Sequence, residues 1–184
     1  MIRTLATPLV MMMLAMLTLP RAAAAQNAGT LEVSGGYSFV HDPNNDLNLK
    51  AGWMAGGSVA LTGWLAAVAD VGGNYKTISS FGSEVRVSVH TAMGGVRGSA
   101  RVGRVTQFGQ LLAGIVRGSG TAFGFVSTSH AFGLQPGIGI DVPLNHSLAG
   151  RAEIDVRFIR SQPDGNDAGH EYRFVAGIVY RFRR

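Results

Sequence analysis

At 184 residues the chain is long enough for one domain; 46% of it is hydrophobic and only 15% charged, with 26 glycines. A soluble domain usually carries about a quarter charged residues, and the formal charge of +5 here comes from scattered arginines with no basic run among exposed aromatics, which excludes the footprint of a nucleic-acid binder. There is no cysteine, which removes disulfides, thiol catalysis, cysteine zinc sites and a lipid-modified N-terminal cysteine.

The N-terminus reads MIRTLATPLVMMMLAMLTLPRAAAAQ. Arg3 forms a short basic region, Leu5 to Leu19 an apolar stretch, Pro20 a breaker, and Ala22 to Ala25 a run of small residues. This is the layout of a secretory signal peptide, with Ala23 and Ala25 at the small positions of the cleavage site and Gln26 opening the mature chain. The apolar stretch falls short of the ~20 residues of a spanning helix. Residues 1–25 are therefore expected to be removed, leaving 26–184 as the domain. Loss of Arg3 and Arg21 leaves 14 basic residues of the 16 against 11 acidic ones, too small a surplus to define a partner.

Beyond residue 26 the sequence alternates apolar and polar residues between turn residues, the period-two mark of strands. In the first strand Leu31, Val33, Tyr37 and Phe39 oppose Glu32, Ser34, Gly36 and Ser38. The second sets Trp53, Ala55, Val59 and Leu61 against Met54, Gly56 and Ser58, and after Thr62-Gly63 the third sets Leu65, Ala67, Ala69, Val71 and Tyr75 against Asp70, Gly72 and Asn74. In the fourth, EVRVSVHTAM, the expected outer set is Val85, Val87, Val89 and Met93 and the inner set Arg86, Ser88 and His90. The fifth, VTQFGQLLAGIV, alternates least. The sixth opposes Phe132, Leu134, Ile138, Ile140 and Val142 to Gly133, Gln135, Gly137, Gly139 and Asp141. The seventh, RAEIDVRFIR, opposes Ala152, Ile154, Val156 and Phe158 to Arg151, Glu153, Asp155 and Arg157. The eighth opposes Tyr172, Phe174, Ala176, Ile178, Tyr180 and Phe182 to Glu171, Arg173, Val175, Gly177, Val179 and Arg181.

Eight strands of about 11 to 15 residues exceed the usual soluble strand and suit tilted membrane strands of at least ~9–11. Short connections at Thr62-Gly63 and Leu144–Ser147, with an arginine-bearing one at 97–104, alternate with longer polar ones at Asp42–Asn48, Lys76–Ser83, Gly118–Ser129 and Ser161–Gly169. Short turns on one side and long loops on the other are the wiring of an outer-membrane barrel, and in lipid the sheet must close because an open edge leaves backbone groups unpaired. The expectation is an all-β, closed eight-stranded antiparallel up-and-down transmembrane β-barrel. Tyr37, Phe39, Trp53, Tyr75, Tyr172 and Phe174 fall near the loop ends of their strands, and Trp64, Tyr180 and Phe182 near the turn ends, as two aromatic belts.

The signal peptide, the eight alternating strands and the closing VAGIVYRF resemble the OmpA/OmpX-like eight-stranded outer-membrane barrels over nearly all of the mature chain. In that superfamily the last strand ends in an aromatic preceded by alternating apolar residues, as Ile178, Tyr180 and Phe182 do here, although Arg183 and Arg184 follow. The resemblance implies a monomer in the outer membrane of a Gram-negative-type envelope, in contact with membrane lipid and lipopolysaccharide and inserted by the barrel-assembly machinery. It implies no cofactor and names no extracellular ligand.

An eight-stranded barrel is filled by its own side chains, and charges inside must be paired, because a buried unpaired ion costs several kcal/mol. Strand parity puts Glu32, Asp70, Arg86, His90, Asp141, Arg151, Glu153, Asp155, Arg157, Glu171, Arg173 and Arg181 in the interior. It pairs Asp141 with Arg151, Glu32 with Arg181, and Asp155 and Arg157 with Arg173 and Glu171, and sets Asp70 near the depth of Arg86 and His90.

Such a network either fills and stiffens the interior or rearranges to admit small ions. A soluble lipocalin-like barrel with the faces inverted is the architectural alternative, disfavoured by the loop asymmetry, the aromatic ends and the scarcity of lysine. Catalysis is not expected. His41, His130, His146 and His170 lie in loops, turns or strand ends and His90 points inward, so no histidine joins a serine and an acid on the lipid face. Grouping of His41, His130 and His170 at the rim lacks the fixed spacing of a metal site.

Overall fold

The computed structural model describes residues 28–43, 47–80, 83–122, 125–161 and 168–182. The expected signal peptide and most of the last loop therefore lie outside the described residues. The elements are β1 (Leu31–Asp42), β2 (Leu47–Leu49), β3 (Ala51–Ala60), β4 (Leu65–Ser80), β5 (Ser83–Val102), β6 (Val105–Ala122), β7 (Phe125–Pro143), β8 (Leu148–Ser161) and β9 (Ala168–Phe182).

β2 is a three-residue return that pairs with the end of β1, Val40 against Leu49. The other eight strands run antiparallel to their neighbours, and β1 pairs with β9 over eleven positions from Leu31↔Phe182 to His41↔Tyr172, closing the sheet. The molecule is a closed eight-stranded antiparallel barrel with no edge left to pair. Alternation settles the faces: in β8, Arg151, Glu153, Asp155 and Arg157 are buried while Ala152, Ile154 and Phe158 are exposed.

One end of the barrel has tight turns. Thr62 Oγ1 accepts from the amide of Leu65 at 3.1 Å, and Asn145 Oδ1 accepts from the amides of Ser147 and Leu148 at 2.9 Å, side-chain caps that hold these reversals. Gly103, at φ +61°, turns β5 into β6 within two residues, a left-handed conformation that favours glycine. The connection expected at 97–104 is thus mostly strand.

The other end is uneven. β4 and β5 stay paired up to Ser80↔Ser83, and β6 and β7 up to Ala122↔Phe125, so the loops expected at Lys76–Ser83 and Gly118–Ser129 are tall hairpins instead. Because β5 and β6 also stay paired as far as Arg86↔Thr121, β4 to β7 rise together as a four-stranded crest. The reason is physical: polar strands continue their ladder above the lipid as readily as within it, because water satisfies the backbone groups left on the outer sides of β4 and β7.

The interior has two walls. β4, β5 and β6 contribute an apolar cluster of Val68, Met93, Leu112 and Val116, against which Val89 and Ile159 pack. The opposite wall, from β7 through β8 and β9 to β1, is charged. Pro136 of β7 has no N–H to give β8, and the ladder between them lapses at Gln135 and Pro136.

Candidate functional site

The interior charges form three groups stacked along the barrel. At the turn end Arg151 donates to both oxygens of Asp141, at 2.8 and 2.9 Å, and Arg181 links Asp141 at 3.4 Å to Glu32 at 2.7 Å. Ser58 Oγ donates to the second oxygen of Glu32 at 3.3 Å. Phe108 lies between two guanidiniums, those of Arg97 and Arg151, 4.3 and 4.7 Å from its ring centre, a cation–π pair that shields like charges from each other.

At mid-height Arg173 is the hub. Its Nη1 donates to Asp70 Oδ1 at 2.9 Å, its Nη2 to Glu153 Oε1 at 3.0 Å and its Nε to Asp155 Oδ2 at 2.8 Å. Gln110 bridges this hub to Arg97: its Nε2 donates to Glu153 and Asp155 at 2.9 and 3.2 Å, while its Oε1 accepts from Arg97 at 2.7 Å. Above the hub Arg157 donates to Gln135 Oε1 at 2.9 Å and Glu171 Oε2 at 3.1 Å. Asn74 and Ser38 exchange side-chain and backbone hydrogen bonds beside it.

Arg157 and Arg173 are each 1% exposed, and desolvation of such ions is offset only when every partner is in place. The interior cavity bordered by Glu32, Asp70, Arg97 and Arg151 measures about 10 Å³, room for roughly one water. A larger depression of about 490 Å³ opens on the outward wall around Gly139, edged by Ile138, Ile140, Ile154 and Phe174.

Glu32, Asp70, Asp141, Arg151, Glu153, Asp155, Arg157, Glu171, Arg173 and Arg181 thus all face inward, and Asp141 meets Arg151, Glu32 meets Arg181, Asp155 meets Arg173 and Arg157 meets Glu171. Arg86 and His90 are corrections: both are exposed on the outward face, while Val89 and Met93 of the same strand turn inward. Here the outward face has already left the apolar band, so water solvates the charges and the valines meet the interior cluster. Asp70 finds its partner on β9 rather than β5. Gln135, read on the polar face of its strand, joins the network, while Arg97, Gln110 and Phe108 were missed. Their signal was the same parity, read through two strands whose inner and outer faces are both partly apolar.

Of the other histidines, His41 and His170 lie at the ends of β1 and β9 and His146 in a turn, while His130 lies six residues into β7. Among the described residues no group of three metal-ligating side chains forms. The aromatic residues Tyr37, Trp53, Trp64, Tyr75, Phe174, Tyr180 and Phe182 are exposed outward, with Phe39 and Tyr172 half-buried. Trp53 Nε1 donates to the Tyr75 hydroxyl at 3.2 Å, and Phe39 packs on Phe174 at 6.0 Å between centroids.

Residues 9–182 match the family model described as outer membrane protein beta-barrel domain. No curated protein matches the chain in sequence. Among solved structures, Ail of Yersinia pestis, in complex with the heparin analogue sucrose octasulfate, aligns with a TM-score of 0.59 at 17% identity over 84% of this chain and 99% of that one. Neisserial surface protein A aligns with 0.62 at 11% identity over 83% and 96%. The N-terminal barrel domain of Pseudomonas aeruginosa OprF aligns with 0.57 at 8% identity over 85% and 100%. At these identities the likeness is one of fold.

Proposed function

The chain belongs to the outer membrane protein beta-barrel domain family, and on that premise we propose that it is a closed barrel acting at the cell surface, as a structural and surface-interaction protein rather than a conduit. The observation that carries this reading is the filled interior: two fully buried arginines, each tied to carboxylates, stand across the bore. Solute passage would require breaking several buried ion pairs at once, each costly to separate. The reading includes export by a cleaved signal at 1–25, insertion by the barrel-assembly machinery, and a monomeric state.

With the bore closed, the exposed end is left to act. The crest of β4 to β7 extends up to seven residues beyond His90, from His90 to Ser83, or roughly 20 Å of strand. It is a rigid sheet rather than a set of loose loops, and it carries Lys76, Arg86, Thr77, Ser127, Thr128 and Ser129. A rigid platform loses little entropy on binding. Because Ail was solved with a heparin analogue, a sulfated polysaccharide is the first probe to try on this crest, where Lys76 and Arg86 stand against the one acid of the hairpin, Glu84.

The experiment compares the refolded chain with a variant whose β4–β5 and β6–β7 hairpins are each shortened by the residues above Lys76↔Val87 and Ser119↔Thr128. The full chain is expected to bind heparin resin at low salt and the shortened one to elute earlier. Equal elution rejects the crest as the binding element, and recovery of the chain in the soluble periplasm without detergent rejects the barrel's membrane role.

A further inference from the structure

The interior ion pairs do not balance at every height. At the turn end Arg151 and Arg181 face Asp141 and Glu32, two cations to two anions, and above the hub Arg157 faces Glu171, with Asp42 at the rim beyond. The hub gathers three carboxylates, Asp70, Glu153 and Asp155, around Arg173. Among the described residues its second cation is Arg97, 3.9 Å from Glu153 Oε2. One negative charge is left over in the middle of the bore, where Glu153 is 2% exposed and Asp155 0%. A carboxylate buried without its counter-ion is costly enough that it takes a proton instead.

The local geometry shows which carboxyls hold that proton. Glu153 and Asp155, two residues apart on the inward face of β8, accept from the same two side chains: Gln110 Nε2 at 2.9 and 3.2 Å, and Arg173 at 3.0 and 2.8 Å. Their carboxyl groups lie within hydrogen-bond reach of each other, and two carboxyls that close do not both ionise. Glu153 Oε2 is buried with no hydrogen-bond partner, so it is the oxygen free to carry the proton. β7 leaves space for the pair by placing Gly137 and Gly139 opposite Asp155 and Glu153, and a Cβ on Gly137 would collide with Asp155 Oδ1. The charged groups facing the pair are Asp70 from β4, Arg97 from β5, Arg173 from β9 and, along β8, Arg151 and Arg157. β6 presents the uncharged Gln110 and β7 the two glycines, and no histidine is among these groups.

We propose that Glu153 and Asp155 form a proton-binding site, holding one proton between them in the closed barrel and releasing it in alkali. With the proton in place the hub is electrically balanced; without it the bore carries a net negative charge that Arg173 and Arg97 do not offset. The site makes the stability of the closed bore depend on pH. This goes beyond the surface-protein reading and does not rest on it, since a closed bore that ignores pH leaves that reading intact. Above about pH 5 the carboxyls of an unfolded chain are ionised. The folded barrel then holds one proton more, so its stability falls as pH rises, by about tenfold in the unfolding constant per pH unit, until the proton leaves and the slope vanishes.

Two measurements on the refolded full chain in detergent micelles test the site. Infrared spectra at about pH 6, where exposed carboxyls are ionised, are expected to show the carbonyl stretch of one protonated carboxyl, lost in alkali and lost in Glu153→Gln. Urea titrations of the folded band on unheated gels, from about pH 5.5 to about pH 9, are expected to show the falling stability in the unmodified chain. They should show a flat response in Glu153→Gln and Asp155→Asn, each of which leaves two carboxylates against two guanidiniums. Absence of the protonated carboxyl from the unmodified chain overturns the site whatever the variants do, including variants that fail to fold. A band that survives both substitutions puts the proton elsewhere and overturns the assignment to this pair. Stability that rises with sodium chloride but not with choline chloride, without the infrared band, makes the missing counter-ion a metal ion and overturns the proton.

Discussion

Arg173 holds three carboxylates from two other strands, Asp70 on β4, Glu153 and Asp155 on β8. Removing it leaves those carboxylates buried without their shared counter-ion, a loss of about 3–5 kcal/mol for breaking one side of a buried pair. Arg173→Met, close in volume, is expected to lower the urea midpoint of the folded band on unheated gels by that amount, and an unchanged midpoint contradicts the hub. The contrast with Arg160, exposed on the outward face, is a useful control, because Arg160→Met should alter the midpoint by less than ~1 kcal/mol. Pairs between neighbouring strands, such as Asp141 with Arg151, were legible in the sequence because hairpin parity dictates them. The Asp70–Arg173 contact was not, since it spans the bore between strands that are not neighbours, and no register relates them.

At the scale of elements, the seam between β1 and β9 shows how closure depends on local shape. Gly36 and Gly177 face each other there, and a Cβ on Gly36 would sit 2.5 Å from Gly177 Cα. Close backbone approach of this kind is where glycine within a strand has a positional reason. Gly36→Val is expected to cost at least ~1–3 kcal/mol through overpacking and to lower the yield of the heat-modifiable folded form on refolding. Gly35→Val, one residue away on the outward face with its nearest foreign atom at 3.8 Å, should refold as the unmodified chain does. Equal yields for both variants would show that the seam tolerates a side chain.

The same scale explains what the alternation hid. In β8 and β9 charged and apolar residues separate cleanly, so the faces could be read directly. In β5 the interior is lined by Val89 and Met93 and the exterior carries Val96, then His90 and Arg86. Polarity there reports whether a residue is above or within lipid as much as which way it points, and the pattern inverts as the strand crosses the interface. Strand lengths were hidden for a related reason: polar residues from Lys76 to Ser83 resemble a loop, yet their backbones remain paired.

For the whole molecule, the question is whether the two-walled interior ever opens. The apolar cluster on β4 to β6 gives ions no stepping points, Asp70, Arg97 and Gln110 on those strands are tied into the network, and the charged wall offers only sites already occupied by arginine. The cavity beside Asp70 and Arg97, about 10 Å³, accommodates roughly one water. Planar-bilayer recordings of the refolded chain are therefore expected to show no steady conductance, and a reproducible open level in the unmodified protein would reject the closed reading. The double variant R157A R173A supplies the positive counterpart. It removes the two side chains that stand across the bore and leaves Asp70, Glu153, Asp155 and Glu171 lining the space. Any current it carries should prefer cations, because four carboxylates then outnumber the one arginine left beside them, Arg97 at 3.9 Å from Glu153, and such a ring repels anions and offers cations replacement ligands. An anion-preferring leak would mean that the remaining arginines, Arg97 and Arg151, govern the path instead.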